Sequence, residues 1–209
     1  MSFVIFWIVL LLLQDMAKHL YIIAGCNGAG KTTASITLLP KSLQVKEFVN
    51  ADEIAKGLSP FNPEGVAFEA GRLMLKRIDE LLDNGEDFSI ETTLATRSYV
   101  NLVRKAQARD YLVHILFFWL DNVGLAKKRV ASRVAMGGHN ISPDVIERRY
   151  FSGLRNFFEL FINEVDIWAV YDNSNNVGDV IALGGKWSQL IVLNKSKFDK
   201  MKNYERERD

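Results

Sequence analysis

The amino-acid sequence predicts an α/β fold, a parallel sheet flanked by helices, that carries a phosphate-binding loop behind its first strand. Two observations lead there. Short apolar runs alternate with segments long enough to hold a helix, the pattern of a parallel sheet with crossover helices. The first run also ends in Gly25-Cys26-Asn27-Gly28-Ala29-Gly30-Lys31-Thr32, a glycine-rich stretch closing on lysine and threonine.

The chain has 209 residues, 48% hydrophobic and 24% charged, which suits one substantial core. One domain is therefore expected over residues 16–209. The 26 basic and 25 acidic side chains nearly cancel, so no global field favours nucleic acid, and none is expected as a partner. A single cysteine, Cys26, rules out an intramolecular disulfide and suits a reducing compartment, so a cytoplasmic location is expected. Residues 3–13 are an apolar run, too short for the roughly 20 residues that span a bilayer. No Lys or Arg precedes it, and stable membrane insertion is not expected. Met16 leads directly into the first strand, so residues 1–15 read as an apolar N-terminal extension from an upstream start codon. An extra core helix and a membrane-surface anchor are the alternatives.

Residues 20–24, Leu-Tyr-Ile-Ile-Ala, form the first predicted strand, buried on both faces. Further strands are expected at 47–50, 88–91, 112–120 and 167–171. A helix over 63–83 carries apolar residues at Val66, Leu73, Ile78, Leu81 and Leu82 and is closed by Asn84-Gly85. Another is expected over 97–109. Ser142-Pro143-Asp144 opens a third, with a capping hydroxyl, a proline at the first position and an acid at the positive end of the dipole, running to about Phe161. Met74, Tyr150, Phe157, Phe158 and Phe161 follow helical spacing and read as core. Residues 180–183 and 190–193 flank Gly184-Gly185-Lys186-Trp187 as a small C-terminal hairpin, and a charged tail follows over 195–209.

The segment from Gly25 to Thr32 fits G-x-x-x-x-G-K-[ST] in its required context, after a strand and before a helix. Gly25, Asn27, Gly28, Ala29 and Gly30 would let the backbone wrap a phosphate so that N–H groups and a helix N-terminus face the anion. Lys31 adds a charge on the β- and γ-phosphates, Thr32 offers its hydroxyl to Mg²⁺, and Thr33 supports the helix. ATP with Mg²⁺ is the expected cofactor pair. Cys26 reads as an ordinary loop thiol.

Asp52, after the second strand, is at the sheet's carboxyl edge, where open parallel sheets bind ligands. It can take a proton from an acceptor hydroxyl, or cap the helix that follows. Glu91 and Thr93 end the third strand on the same rim. Glu91 suits a Mg²⁺ water shell, the substrate, or a hydrogen bond to a neighbouring loop, and Arg97 is a further substrate-binding candidate. Arg129 and Arg133 share a helix face. With Arg148, Arg149 and Arg155 beyond a glycine loop they suggest a lid bringing positive charge to the transferring phosphoryl group. Solvated faces are the alternative for each. The lone His139 does not make a metal site.

The ordered set Tyr21-Ile22-Ile23-Ala24-Gly25, Asn27-Gly28-Ala29-Gly30-Lys31-Thr32-Thr33, Asn50-Ala51-Asp52, Ile90-Glu91-Thr92-Thr93, Gly137-Gly138-His139-Asn140-Ile141-Ser142-Pro143, Arg148-Arg149-Tyr150 and Tyr171-Asp172-Asn173-Ser174 resembles the zeta-toxin family of P-loop kinases, in its branch described as predicted ABC-type ATPases. No Leu-Ser-Gly-Gly signature of a composite ATP site occurs. The resemblance implies a kinase-like P-loop NTPase core, Asp52 as catalytic base, Glu91 and Thr93 at the substrate and lid arginines at the γ-phosphate, with Arg129 or Arg133 in the first lid role. Better-known members phosphorylate UDP-N-acetylglucosamine and are toxins restrained by an antitoxin. The expected activity is ATP-dependent phosphoryl transfer to a small-molecule hydroxyl, a nucleotide sugar by analogy, with a possible antitoxin as protein partner. A non-catalytic ATP-binding regulatory module and a nucleic-acid end kinase are the competing readings.

Overall fold

The computed structural model describes residues 17–38, 43–138, 140–175 and 178–206, so the expected N-terminal extension and His139 lie outside the described residues. Seven strands form one sheet: β1 (Lys18–Gly25), β2 (Glu47–Val49), β3 (Phe88–Thr92), β4 (Tyr111–Trp119), β5 (Ile167–Asp172), β6 (Asp179–Gly185) and β7 (Ser188–Val192), in the order β2-β3-β1-β4-β5-β6-β7. The first five run parallel; β6 pairs antiparallel with β5, and β7 pairs antiparallel with β6. The expected hairpin is thus an extension of the main sheet. Strand β1 lies between β3 and β4 and is buried from His19 onward, which is why its sequence is almost continuously apolar.

The helices are α1 (Lys31–Leu38), α2 (Ala51–Leu58), α3 (Ala67–Asn84), α4 (Tyr99–Gln107), α5 (Val123–Ala135), α6 (Pro143–Asn156) and α7 (Lys195–Arg206). Three depart from expectation. The segment expected to be helical from residue 63 opens with a 3₁₀ turn, Pro63–Val66, whose first residues are held by Asn62 Oδ1 accepting from Gly65 N at 3.3 Å. Within α3 the buried face runs through Ala70, Met74, Ile78, Leu81 and Leu82 at helical spacing; Leu73, five residues from Ile78, falls off that face and is 37% exposed. At its end Gly85 takes φ +71° and its N–H returns to Leu81 O and Leu82 O, as the sequence implied. At the start of α6, Ser142 makes no side-chain cap bond; its carbonyl accepts from Ile146 N instead. Helix α6 then continues through a π-helical turn, Phe157–Phe161, which buries Phe157 and Phe161.

The segment expected to be a charged tail is helix α7. Phe198 and Met201, three residues apart, are buried, and Lys197 and Lys200 reach Asp172 at 2.5 Å and Asp121 at 2.6 Å. Among the described residues no helix is long and apolar enough to cross a membrane. The order of the five parallel strands brings the loops after β2, β3, β1, β4 and β5 into one row along the carboxyl edge of the sheet, and the candidate site is there.

Candidate active site

Loop, strand and helix ends at this edge enclose a cleft of about 310 Å³ lined by Asn27, Gly28, Gly30, Lys31, Thr32, Thr33, Asn50, Asp52, Glu53, Lys56, Glu91, Arg129, Arg133 and Gly138. The predicted phosphate loop, the predicted base and two of the predicted lid arginines therefore meet in one place. Four cations face three carboxylates there, a balance suited to a polyphosphate.

Gly28 and Gly30 adopt φ +79° and +84°, a region that side chains rarely enter. A Cβ on Gly28 would lie 2.9 Å from Ala126 O, and one on Gly30 would lie 2.5 Å from Asn173 Nδ2. Both positions thus require glycine for conformation and for space. Lys31, only 6% exposed, donates to Cys26 O at 3.0 Å and lies 3.7 Å from Glu91 Oε1. Thr32 Oγ1 donates to Glu91 Oε2 at 2.8 Å, and Asn50 Nδ2 donates to the same oxygen at 3.0 Å. The Glu91 carboxylate therefore holds the lysine and the threonine of the phosphate loop together. Cys26 is buried, which pushes its thiol up to about 11 even though the Lys31 charge opposes the shift. The site keeps it as a protonated, inert sulfhydryl.

Asn50 caps α2: its Oδ1 accepts from Asp52 N at 2.9 Å while its amide nitrogen holds Glu91. The capping role considered for Asp52 thus falls to Asn50. The Asp52 carboxylate is exposed on the first turn of α2, facing the phosphate loop across the cleft. One turn on, Lys56 lines the same cleft and pairs with Glu53 at 2.6 Å. Beside Asp52, the Tyr99 hydroxyl bonds the Thr92 side chain, and burial pushes its acidity down, with the Asp52 charge adding to the effect.

Leu94, just past β3, is fully buried with φ +58°, an unusual conformation for a branched residue. It is held by Thr92 Oγ1, which accepts from Leu94 N at 3.0 Å, and by Asn156 Nδ2, which donates to Leu94 O at 2.8 Å. Thr93 is half-buried and Arg97 exposed, and neither lines the cleft. The Thr93 carbonyl instead lies against Gly153 of α6, where a Cβ would come within 2.5 Å of it.

Among the arginines, Arg129 and Arg133 line the cleft from α5, and the Arg133 side chain packs on Gly138. Arg148 is exposed and outside it, whereas Arg149 donates to Asn27 Oδ1 of the phosphate loop at 3.3 Å. Successive helical residues are about 100° apart, so turning Arg149 inward turns Arg148 outward. Asn50, Lys56, Tyr99 and Asn173 join the site beyond the residues expected from the sequence. Asn50 and Asn173 did stand inside recognisable strand-end motifs, and Lys56 at four residues from Asp52 was a readable signal. Nothing in the local pattern pointed to Tyr99.

A family model described as Zeta toxin matches residues 12–178. An uncharacterised protein of Haemophilus influenzae (strain ATCC 51907 / DSM 11121 / KW20 / Rd) is 28% identical over 126 residues, 60% of this chain and 88% of that protein. The AvrRxo1-ORF1:AvrRxo1-ORF2 complex with sulphate ions superposes with a TM-score of 0.72 at 14% identity over 90% of this chain and 64% of that one; this chain therefore spans less than two thirds of it. The same pair has been solved with ATP. The PezAT chromosomal toxin-antitoxin system of Streptococcus pneumoniae superposes with a TM-score of 0.64 at 13% identity, over 95% of this chain and 90% of that one. At such identities the likeness is one of fold, a helix-flanked sheet of the P-loop kinase type.

Proposed function

Because the chain belongs to the zeta-toxin family, we propose that it transfers the γ-phosphoryl group of ATP to a hydroxyl of a small molecule, with a UDP-N-acetyl amino sugar as the first acceptor to test. A P-loop kinase-like phosphotransferase is the activity class that the family match supports. The observation that carries the reading is that Lys31 and Asp52, from loops after two different strands, line one cleft. A phosphate cradle facing an accessible carboxylate suits phosphoryl transfer to an alcohol better than nucleotide binding alone.

In this mechanism the N–H groups of residues 28–32 and the Lys31 ammonium bind the β- and γ-phosphates. The oxygen donors Thr32 and Glu91, 2.8 Å apart, fit a hard divalent cation. Mg²⁺, held by Thr32 and through water by Glu91, would neutralise charge on the phosphate oxygens. Asp52 orients the acceptor hydroxyl and accepts its proton as the new O–P bond forms. The bond from the γ-phosphorus to its bridging oxygen breaks, and ADP leaves with that electron pair. Arg133 and Arg149 supply positive charge from the lid. A protein antitoxin is the proposed partner, supported by the fold shared with the PezAT toxin-antitoxin system, and the cytoplasm, where ATP and nucleotide sugars are pooled, is the proposed location.

The test is transfer of label from γ-labelled ATP to UDP-N-acetylglucosamine with Mg²⁺. Asp52→Asn is expected to slow transfer by about 10²–10⁴-fold while nucleotide binding persists. Full transfer by Asp52→Asn would remove the base assignment. Nucleotide binding without a labelled product, in a cell extract as well, would favour a regulatory module.

A further inference from the structure

The Arg129 side chain does something other than face the nucleotide. Its Nη2 donates to Asn173 O at 2.9 Å and Ser174 O at 2.8 Å, and its Nη1 donates to Gly28 O at 3.4 Å. All three acceptors are backbone carbonyls, one in the phosphate loop and two in the loop after β5. From these contacts we infer that Arg129 is a positioning residue, locking the phosphate loop to the loop after β5, and not a γ-phosphate ligand. The inference rests on the kinase reading of the site.

The physical need is plain. Within a peptide plane N–H and C=O point in opposite directions, so a loop that turns its N–H groups inward to an anion turns carbonyls outward, and buried carbonyls require donors. Arg129 supplies the donor for Gly28 O. Asn173 Nδ2 supplies it for Ala29 O at 2.7 Å. With both carbonyls held from outside, the cradle is preorganised before the nucleotide arrives, and no binding energy is lost to ordering it.

The anchor on the far side is itself rigid. Asn173 N donates to Trp119 O at 2.9 Å, and Ser174 Oγ accepts from Asp121 N at 2.8 Å. Asp172 accepts from Ser174 N at 2.8 Å and from Lys197 of α7 at 2.5 Å. The fit is also close: a Cβ on Gly28 would lie 3.2 Å from Arg129 Cβ. A guanidinium can bridge several carbonyls because its donors lie in one plane, whereas a lysine ammonium offers a single point of charge. Reaching the γ-phosphate would break these bonds; Arg133, one turn further along α5, also lines the cleft.

ADP separates the two roles, because it lacks the γ-phosphate but uses the same cradle. With Mg²⁺ present, titration calorimetry of Arg129→Ala and Arg129→Lys should show ADP and a non-hydrolysable ATP analogue weakened in parallel, each by about tenfold, as expected for a lost charged hydrogen bond. KM for ATP should rise similarly, with kcat within about threefold of wild type. Asn173→Ala, which removes the other outward donor, should give the same parallel loss even if Arg129→Ala does not fold. Unchanged ADP affinity in Arg129→Lys or Asn173→Ala, or a hundredfold fall in kcat at constant ADP affinity in an Arg129 variant, would overturn the inference. If the wild-type protein bound neither nucleotide, the kinase reading itself would fail, a result distinct from either of these.

Discussion

Lowering the pH from 7.5 to 5.5 should destabilise the protein through two histidines in the middle of its sheet. Strands β1 and β4 bring Tyr21 opposite His114, and His19 Nδ1 lies 2.9 Å from His114 Nε2. Both rings are almost fully buried. Burial holds both below the usual imidazole range, and for His114 it combines with the neighbouring His19 to bring the value to about 3. Among the described residues neither His19 Nε2 nor His114 Nδ1 has a hydrogen-bond partner, so an added proton would find no acceptor.

The sign follows from linkage: the unfolded chain takes up protons below about pH 6.5 and the folded chain does not. Stability is therefore complete above that value and falls as the pH drops towards 3. For His114 alone, RT ln(1 + 10^(pKa − pH)) for the unfolded group changes by about 1.4 kcal/mol between pH 7.5 and 5.5. His19 shifts in the same direction and raises the total to at most about 2.7 kcal/mol. With a urea m-value of about 3 kcal/mol/M, the midpoint falls by roughly 0.5–0.9 M. Tryptophan fluorescence during urea unfolding at the two pH values reads this directly. Asp172, whose carboxyl is held below the usual range despite its burial by Lys197 and Ser174, titrates beneath this window. His114→Gln keeps a neutral side chain throughout and should reduce the pH effect to about half or less. Equal midpoints at the two pH values, or an unaltered pH effect in His114→Gln, would refute the reasoning.

Two further outcomes are expected. Gly28→Ala puts a Cβ 2.9 Å from Ala126 O at φ +79°, costing about 1–3 kcal/mol in backbone strain and displacing the phosphate loop; calorimetry should find Mg-ADP binding weakened more than about tenfold, and wild-type affinity would contradict the close approach. Met201→Ala empties a fully buried position on α7 and should cost about 2–5 kcal/mol in chemical denaturation; a cost well under about 1 kcal/mol would mean that α7 is not docked as described.

The parts of this fold that could be read in advance are those where one physical demand dominates a short stretch. A strand buried on both faces must be apolar throughout, and residues 20–24 and 112–120 are nearly so. A phosphate cradle needs glycines at fixed spacing before a lysine, and Gly25 to Thr32 supply them. What escaped was settled by partners far away in sequence. Helix α7 carries Phe198 and Met201 as a short apolar stripe among lysines, and its lysines pair with Asp172 and Asp121. The choice of Arg149 over Arg148 depends on the rotation of α6 about its axis, which no local pattern encodes. Arg129 was legible as a cation near the site, but its carbonyl partners lie 44, 45 and 101 residues away.

The chain's sole sulfhydryl gives this architecture a built-in reporter. Cys26 is walled in beneath the cradle and titrates near 11, so alkylating reagents at neutral pH meet almost no thiolate while the loop keeps its shape. Labelling must wait for the wall to open, and its rate counts those openings. With no second cysteine to confuse the signal, mass spectrometry of iodoacetamide-treated protein measures how often the cradle loosens, and whether a bound nucleotide slows it, without any engineered probe.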